Sequence, residues 1–174
     1  MKKLFAIAVS LMAFSANALS AVPSYGAPAK AALEFNQWYL GHFKNIDSHP
    51  VGKEMRKYIP IDGKEIEKYV TVDTLKKVRN RDAQTRLLVE KTGADFTYGD
   101  EDFFTKTEDI ISDWPTNINV ISADYDPVCA TVYIALGKEQ DYVVADCMVQ
   151  EEGIWKVQSV AAFVNRNAFD DPHP

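Results

Sequence analysis

Apolar residues recur at helical spacing in the segment that follows Pro28. Ala32, Phe35, Tyr39 and Phe43 are three or four residues apart, which places them on one face of a helix. Proline is tolerated in the first turn of a helix, because the N–H that it lacks has no partner there in any case. The pattern therefore predicts an amphipathic helix that begins near Pro28 and buries an aromatic stripe.

A second helical pattern occupies residues 69–91. Its apolar pattern consists of Val72, Leu75 and Val78, followed by Leu87 and Leu88. Gly93 follows as a C-cap, since glycine adopts the left-handed conformation that ends many helices. The intervening residues 44–68 contain two prolines and two glycines, and this turn chemistry predicts an irregular or partly helical connection.

The second half of the chain changes to short runs rich in β-branched and aromatic residues, bounded by turn residues. These runs predict four strands, at residues 117–126, 128–137, 141–150 and 154–163. Helices followed by a series of antiparallel strands form an α+β domain, with the N-terminal helices packed on the sheet. Trp38 and Trp155 are expected to be core residues of the helix and the sheet.

The first residues have the pattern of a secretory signal peptide. Lys2 and Lys3 precede an apolar run at residues 4–14 that is too short to span a bilayer, and small residues follow, with cleavage expected after Ala18 or Ala21. Residues 1–21 are therefore predicted to be a leader and residues 22–174 a single domain, located in the periplasm and free of the membrane after cleavage.

The net charge of the chain limits the classes of molecule that it is expected to bind. The formal net charge is −6, and removal of the two leader lysines takes it to −8. An acidic surface disfavours nucleic acid and anionic membranes as ligands, and it suits a protein partner, in particular a basic one.

The two cysteines, Cys129 and Cys147, lie in the second and third predicted strands. In an oxidising compartment a disulfide is the simplest interpretation, with free buried thiols as the alternative. If the hairpin turns about Lys138, the two cysteines face each other directly across the strands. A register shift of one residue would turn one of them to the opposite face.

Several segments together resemble a known family. They are FNQWYL at 35–40, EKYVTVDTL at 67–75, DEDFFTKTEDIISDW at 100–114 and GIWKVQSV at 153–160. In this order they resemble the YbjP/YqhG-like family of exported bacterial proteins of unknown function. The resemblance implies a cystatin-like or NTF2-like fold, in which a long helix packs across a curved antiparallel sheet. It implies no catalytic residues.

An acidic and aromatic segment, residues 92–117, contains the densest group of carboxylates. Calcium binding is one interpretation, but the spacing places Phe104 and Thr105 where a ligand and a glycine are required. The alternative is that Asp102 braces the loop while Phe103 and Phe104 are buried.

Asp146 is the one acid in the otherwise apolar run VVADCMV. It shares a face with Val144 and Met148, opposite Cys147. If that face is covered, the pKa of Asp146 is raised and the carboxyl lies in a pocket. If the face is solvated, Asp146 is an ordinary outward residue, and this second alternative is the one we favour from sequence.

The chain lacks the sequence signatures of a catalytic centre. His42, His49 and His173 form no metal-binding pair, and no G-x-S-x-G segment is present. We therefore expect no catalytic residue, metal or cofactor, and the candidate binding residues are Asp100, Asp102, Asp109, Trp114 and Asp146.

The expected function is that of a non-enzymatic periplasmic domain that binds a protein, one version being an immunity protein against a toxin that attacks the cell wall. The alternative is an enzyme or small-ligand carrier with an NTF2-like pocket. A pocket lined by acids and aromatics would favour the alternative, whereas a closed core and an exposed apolar patch would favour protein binding.

Overall fold

A computed structural model of the chain describes residues 25–44, 60–93 and 101–164. The long helices are α1 (Gly26–Gly41) and α2 (Val72–Thr92), and the strands are β1 (Ile118–Tyr125), β2 (Ala130–Leu136), β3 (Tyr142–Glu151) and β4 (Ile154–Val164). Short 3₁₀ helices lie at Pro60–Asp62, Glu65–Lys68 and Trp114–Thr116. The predicted leader at 1–21 and the tail beyond 164 lie outside the described residues. Within the described residues, no helix is both long and apolar enough to cross a membrane.

The four strands form one antiparallel sheet in the order β1-β2-β3-β4. Each strand pairs with the next along the chain, and the ladder is irregular between Val120 and Ser122 in β1 and between Cys147 and Met148 in β3. The predicted α+β class, with helices packed on an antiparallel sheet, is confirmed.

Helix α1 covers one face of the sheet, as its apolar stripe predicts. Pro28 lies in the first turn, and Phe35, Tyr39 and Phe104 form a compact group of rings whose centroids are 5.0–5.7 Å apart. These three side chains are 1% exposed and make up a large part of the core. Trp38, by contrast, is only half-buried; it stacks on a tyrosine at the margin of the core.

Helix α2 is attached to the sheet only by its first two turns. Its buried residues are Thr74, Leu75 and Val78, and all later residues are half-buried or exposed. The remaining apolar residues of the predicted pattern are exposed: Val72, Leu87 and Leu88. Thr71 is the N-cap, and its hydroxyl accepts a hydrogen bond from the N–H of Thr74. Gly93 is the C-cap, as predicted, with a φ of +66°.

Residues 69–71 close the edge of the sheet at β4. Val70 forms a parallel bridge with Val157, and the carbonyl of Val157 accepts from the Thr71 N–H at 3.1 Å. The hydroxyl of Thr74 donates to the carbonyl of Gln158 at 2.5 Å. Trp155, on β4, is half-buried and packs against the core, so both of the tryptophans expected in the core, Trp38 and Trp155, lie at its margin.

The register of the β2–β3 hairpin differs from the prediction by two residues. Thr131, rather than Cys129, lies opposite Cys147, so the hairpin turns about Glu139 instead of Lys138. The turn is longer than expected because both Gly137 and Gln140 have positive φ, which ends β2 at Leu136. An offset of two residues does not change which side chains share a face of the hairpin.

Candidate functional site

The cysteines are joined by a disulfide, as the sequence predicts. Cys129 lies one residue before β2, and its Cα is 5.6 Å from that of Cys147. Because of the register offset the bond runs diagonally from the start of β2 to the middle of β3. Asp126 supports this end of the hairpin, since its carboxylate accepts from the N–H groups of Val128 and Cys129, and these bonds lower the pKa of Asp126. Because the disulfide uses both sulfur atoms, neither cysteine is available as a nucleophile or a metal ligand.

Asp146 is completely buried, which contradicts the preferred expectation that it faces solvent. It lies on the face of β3 that α1 covers, directly opposite Val132 of β2 and Val160 of β4. The amide Nδ2 of Asn36, from the buried side of α1, donates to Asp146 Oδ2 at 2.7 Å and to the carbonyl of Ala32 at 2.9 Å. The sequence does not indicate which face of β3 is buried, because both faces are apolar.

The second oxygen of this carboxyl, Asp146 Oδ1, is buried and has no hydrogen-bond partner among the described residues. Burial raises the pKa of Asp146 from 3.8 to about 7, and the hydrogen bond from Asn36 opposes the shift. A carboxyl with no exposed surface has no access to a substrate. Asp146 is therefore a buried polar contact between α1 and the sheet.

The acidic segment is organised around Asp102. Its Oδ1 accepts from the N–H groups of Phe104 and Thr105 and from the Thr105 hydroxyl, at 2.8–3.0 Å, which closes a tight turn. Its Oδ2 accepts from the hydroxyl of Tyr39 at 2.5 Å. Burial, followed by the Asp102 charge, raises the pKa of Tyr39. Asp102 thus braces the loop and ties it to α1, as in the second of the two interpretations.

Of the other acidic candidates in this segment, the structure describes only Asp109. Asp100 lies outside the described residues, and Asp109 is exposed. Within the described part of the chain no group of three or more histidine, cysteine, aspartate or glutamate residues is arranged to hold a metal. His42, the residue after α1, is exposed, and its Nδ1 is 2.9 Å from the carbonyl of Trp38. The other two histidines lie outside the described residues.

Trp114, another of the candidate binding residues, is a core residue. Its side chain is 5% exposed and stacks on Tyr142 with centroids 4.7 Å apart. It also covers Gly137, where an added Cβ would lie 3.2 Å from the indole ring. The adjacent Asp113 accepts from the N–H of Lys138 at 2.9 Å, so this corner anchors the hairpin turn.

Exposed apolar side chains mark the surfaces that are available for contact with another protein. Tyr125 and Val128, at the turn between β1 and β2, are 61% and 77% exposed. Leu87 and Leu88, on the part of α2 that extends beyond the core, are 65% and 58% exposed. Scattered exposed apolar residues are ordinary, but pairs at a turn and on a projecting helix are suited to protein contact.

A groove of about 580 Å³ lies between the 3₁₀ helix Glu65–Lys68, α2 and β4. Its lining combines apolar residues with three cations and one carboxylate: Glu67, Val70, Val72, Leu75, Lys76, Arg79, Asn80 and Lys156. Sequence reasoning missed this groove because Lys156 of β4 is far in sequence from the other lining residues, which lie within residues 67–80. The signal that could have pointed to it is the charge of α2, which has six basic and three acidic residues in a chain with 19 basic and 25 acidic ones.

Solved structures similar to this chain include chains of an effector-immunity complex and a protein of unknown function. A chain of the type VI native effector-immunity complex Tae3-Tai3 from Ralstonia pickettii has a TM-score of 0.57 and 24% identity, over 80% of this chain and 97% of that chain. A chain of the selenomethionine form of that complex has a TM-score of 0.54 and 25% identity, over 78% of this chain and 95% of that chain. A protein of unknown function from Bacteroides thetaiotaomicron VPI-5482 has a TM-score of 0.43 and 17% identity, over 77% of this chain and 88% of that chain.

No protein-family model matches the chain, and no curated protein matches it. The resemblance to the YbjP/YqhG-like family stays a prediction. The similarity to the Tae3-Tai3 chains supports the α+β fold over most of the chain, and those chains come from an effector-immunity complex.

Proposed function

We propose that this chain is an exported, non-enzymatic immunity protein that binds a type VI effector in the periplasm and neutralises it. The observation that carries the proposal is the similarity to a chain of the Tae3-Tai3 effector-immunity complex, at 25% identity over 95% of that chain. That protein is in a complex with a protein partner, and the same kind of partner is the one we assign here.

The chemistry of the described residues fits the immunity component better than an effector enzyme. Both cysteines are held in a disulfide, and the acid with the most strongly raised carboxyl pKa, Asp146, is sealed in the core. The interface between α1 and the sheet is filled by side chains such as Phe35, Ile134 and Val144, each at most 1% exposed. This closed core argues against the alternative of an NTF2-like pocket enzyme or ligand carrier.

The periplasm is the compartment that the leader and the disulfide jointly favour. A disulfide persists in an oxidising compartment, and the predicted leader at residues 1–21 would deliver the chain there. The expected charge of −8 after cleavage, from −6 less two lysines, favours a partner whose contact surface is partly basic.

The proposal is tested by competition between bacteria. A strain of the source bacterium that lacks this gene is grown with its parent, whose type VI system is active, and survival is counted. We expect the deletion strain to be killed, and full-length protein expressed from a plasmid to restore survival. The same protein without residues 1–21 should give no protection, because it stays in the cytoplasm.

An attacker whose type VI system is inactivated is the control for other causes of killing. Equal survival of the deletion strain with and without the plasmid would contradict the immunity function. Protection by the leaderless protein would contradict the assignment to the periplasm and leave the immunity function standing.

A further inference from the structure

The groove beside α2 is a concave, cationic feature on an acidic protein. Its floor is apolar, with Val70 and Leu75 at 1% and 3% exposed, and Val72 forms an exposed apolar rim. A volume of about 580 Å³ is within the range of binding clefts, which combine an apolar floor with a few polar groups that orient the ligand.

Two of the three cations in the groove are fixed by other groups. Arg79 donates to the carbonyls of Ile61 and Gly63 at 2.9 and 3.0 Å and pairs with Glu67 at 3.3 Å. Lys156 is 8% exposed and its Nζ is 2.7 Å from a carboxylate oxygen of Glu151. These contacts hold both cations in place and neutralise much of their charge.

Lys76 is different, because it is exposed and forms no ion pair with any of the described residues. It supplies the uncompensated positive charge at the wall of the groove, next to the amide of Asn80. Helix α2 as a whole carries three more basic than acidic residues. The local charge is therefore opposite in sign to that of the chain, and it attracts carboxylates where the rest of the surface repels them.

We propose that this groove binds an acidic, partly apolar segment of a protein partner, with Lys76 as its principal ionic contact. Carboxylates of the segment pair with Lys76 and with the outer edge of the Arg79 guanidinium, and an apolar side chain lies on Val70 and Leu75. The identification of that partner as an effector rests on the proposed function, whereas the binding chemistry of the groove stands on its geometry alone.

The probe is a fluorescently labelled peptide of alternating glutamate and leucine, titrated against the full mature protein at low and at physiological salt. The matched variants are Lys76→Glu and Lys77→Glu, which change the net charge equally. Lys77 is exposed on the same helix but does not line the groove. We expect saturable binding that weakens about tenfold in Lys76→Glu and less than about twofold in Lys77→Glu.

A peptide with glutamine in place of glutamate should bind clearly more weakly than the original. Equal weakening by the two lysine variants would overturn the proposal, since it would mean diffuse attraction to the helix. No difference between the glutamate and glutamine peptides would overturn it as well. Thermal unfolding of both variants confirms that each is folded, which we expect because both lysines are exposed.

The competition assay separates this proposal from the proposed function. If the unaltered protein gives no protection, the immunity function fails, and the peptide titration still tests the groove. If the unaltered protein protects and Lys76→Glu protects equally well, the groove is not the contact with the effector, and the identification of the effector as its partner is overturned.

Discussion

The buried carboxyl of Asp146 should make the stability of this protein depend on pH in an unusual direction. Its pKa is raised from 3.8 to about 7 in the folded state because of burial. The folded state therefore retains a proton that the unfolded chain loses near pH 4. The contribution to stability is fully present below about pH 4 and is lost as pH rises towards about 7.

The size of the effect follows from the two pKa values. Each pH unit between them corresponds to about 1.4 kcal/mol, so an interval from 3.8 to about 7 gives about 4 kcal/mol as an upper value. Asp146→Asn imitates the protonated carboxyl, because its amide oxygen still accepts from Asn36 at the same position. The variant should lack the pH-dependent loss.

The assay is urea denaturation of the oxidised mature protein and of Asp146→Asn at about pH 4 and about pH 8. We expect similar free energies of unfolding at the lower pH, and a variant that is more stable by about 2 to 4 kcal/mol at the higher pH. Asp141→Asn is the matched control, since Asp141 is exposed just before the same strand. It should change the unfolding free energy by less than about 0.5 kcal/mol at either pH.

Other carboxyls make stability depend on pH in the opposite direction, but they contribute equally to the unaltered protein and to Asp146→Asn. The pKa values of Asp126 and Glu151 are lowered by their hydrogen bonds, so their contributions are lost as pH falls. The comparison between the protein and Asp146→Asn removes these contributions. If the difference in stability between the two is the same at both pH values, the Asp146 carboxyl does not titrate in this range and the reasoning is refuted.

Three further perturbations test the fold. Replacing Cys129 and Cys147 together by alanine should lower the free energy of unfolding by about 1 to 3 kcal/mol. This is less than loop closure alone predicts, because the hairpin already joins the two strands, and an unchanged urea midpoint would contradict a structural role. Tyr39→Phe should cost about 1 to 3 kcal/mol by leaving one buried carboxylate oxygen without its donor, and a loss near zero would show that water replaces the hydroxyl. Gly93→Ala should cost about 1 kcal/mol because φ is +66° there, whereas Gly41→Ala, which also meets no atom within 4 Å but lacks the positive φ, should be neutral or stabilising in thermal melts.

The secondary structure was largely predictable, because its signals are local. The stripe on α1, the glycine at the end of α2 and the four β-rich runs each specify an element within a few residues of its observed bounds. The disulfide also follows from local information. The observed register of the β2–β3 hairpin differs from the predicted one by two residues, which still leaves Cys129 and Cys147 on one face. The disulfide therefore joins them diagonally across the strands.

The candidate site was less predictable, because it depends on which surfaces meet. Trp114 was expected in a binding loop, but its burial against Tyr142 depends on contact between segments that are 28 positions apart in the sequence. The groove combines Glu67, Lys76 and Lys156, whose proximity follows from the bridge between Val70 and β4. No spacing rule within one segment reports such contacts.

The burial of Asp146 was nonetheless predictable from two isolated polar residues considered together. Alternation along β3 could not identify the covered face, because the run VVADCMV is apolar on both faces. Asn36, however, lies on the apolar stripe of α1, four residues after Ala32 and three before Tyr39. A buried amide needs a hydrogen-bond partner, and so does a buried carboxyl. Among the described residues, α1 is the only helix that crosses the sheet, and its buried face carries a single amide. The apolar strand β3 carries a single acid in its interior. Each group is the best hydrogen-bond partner for the other, which places Asp146 under α1.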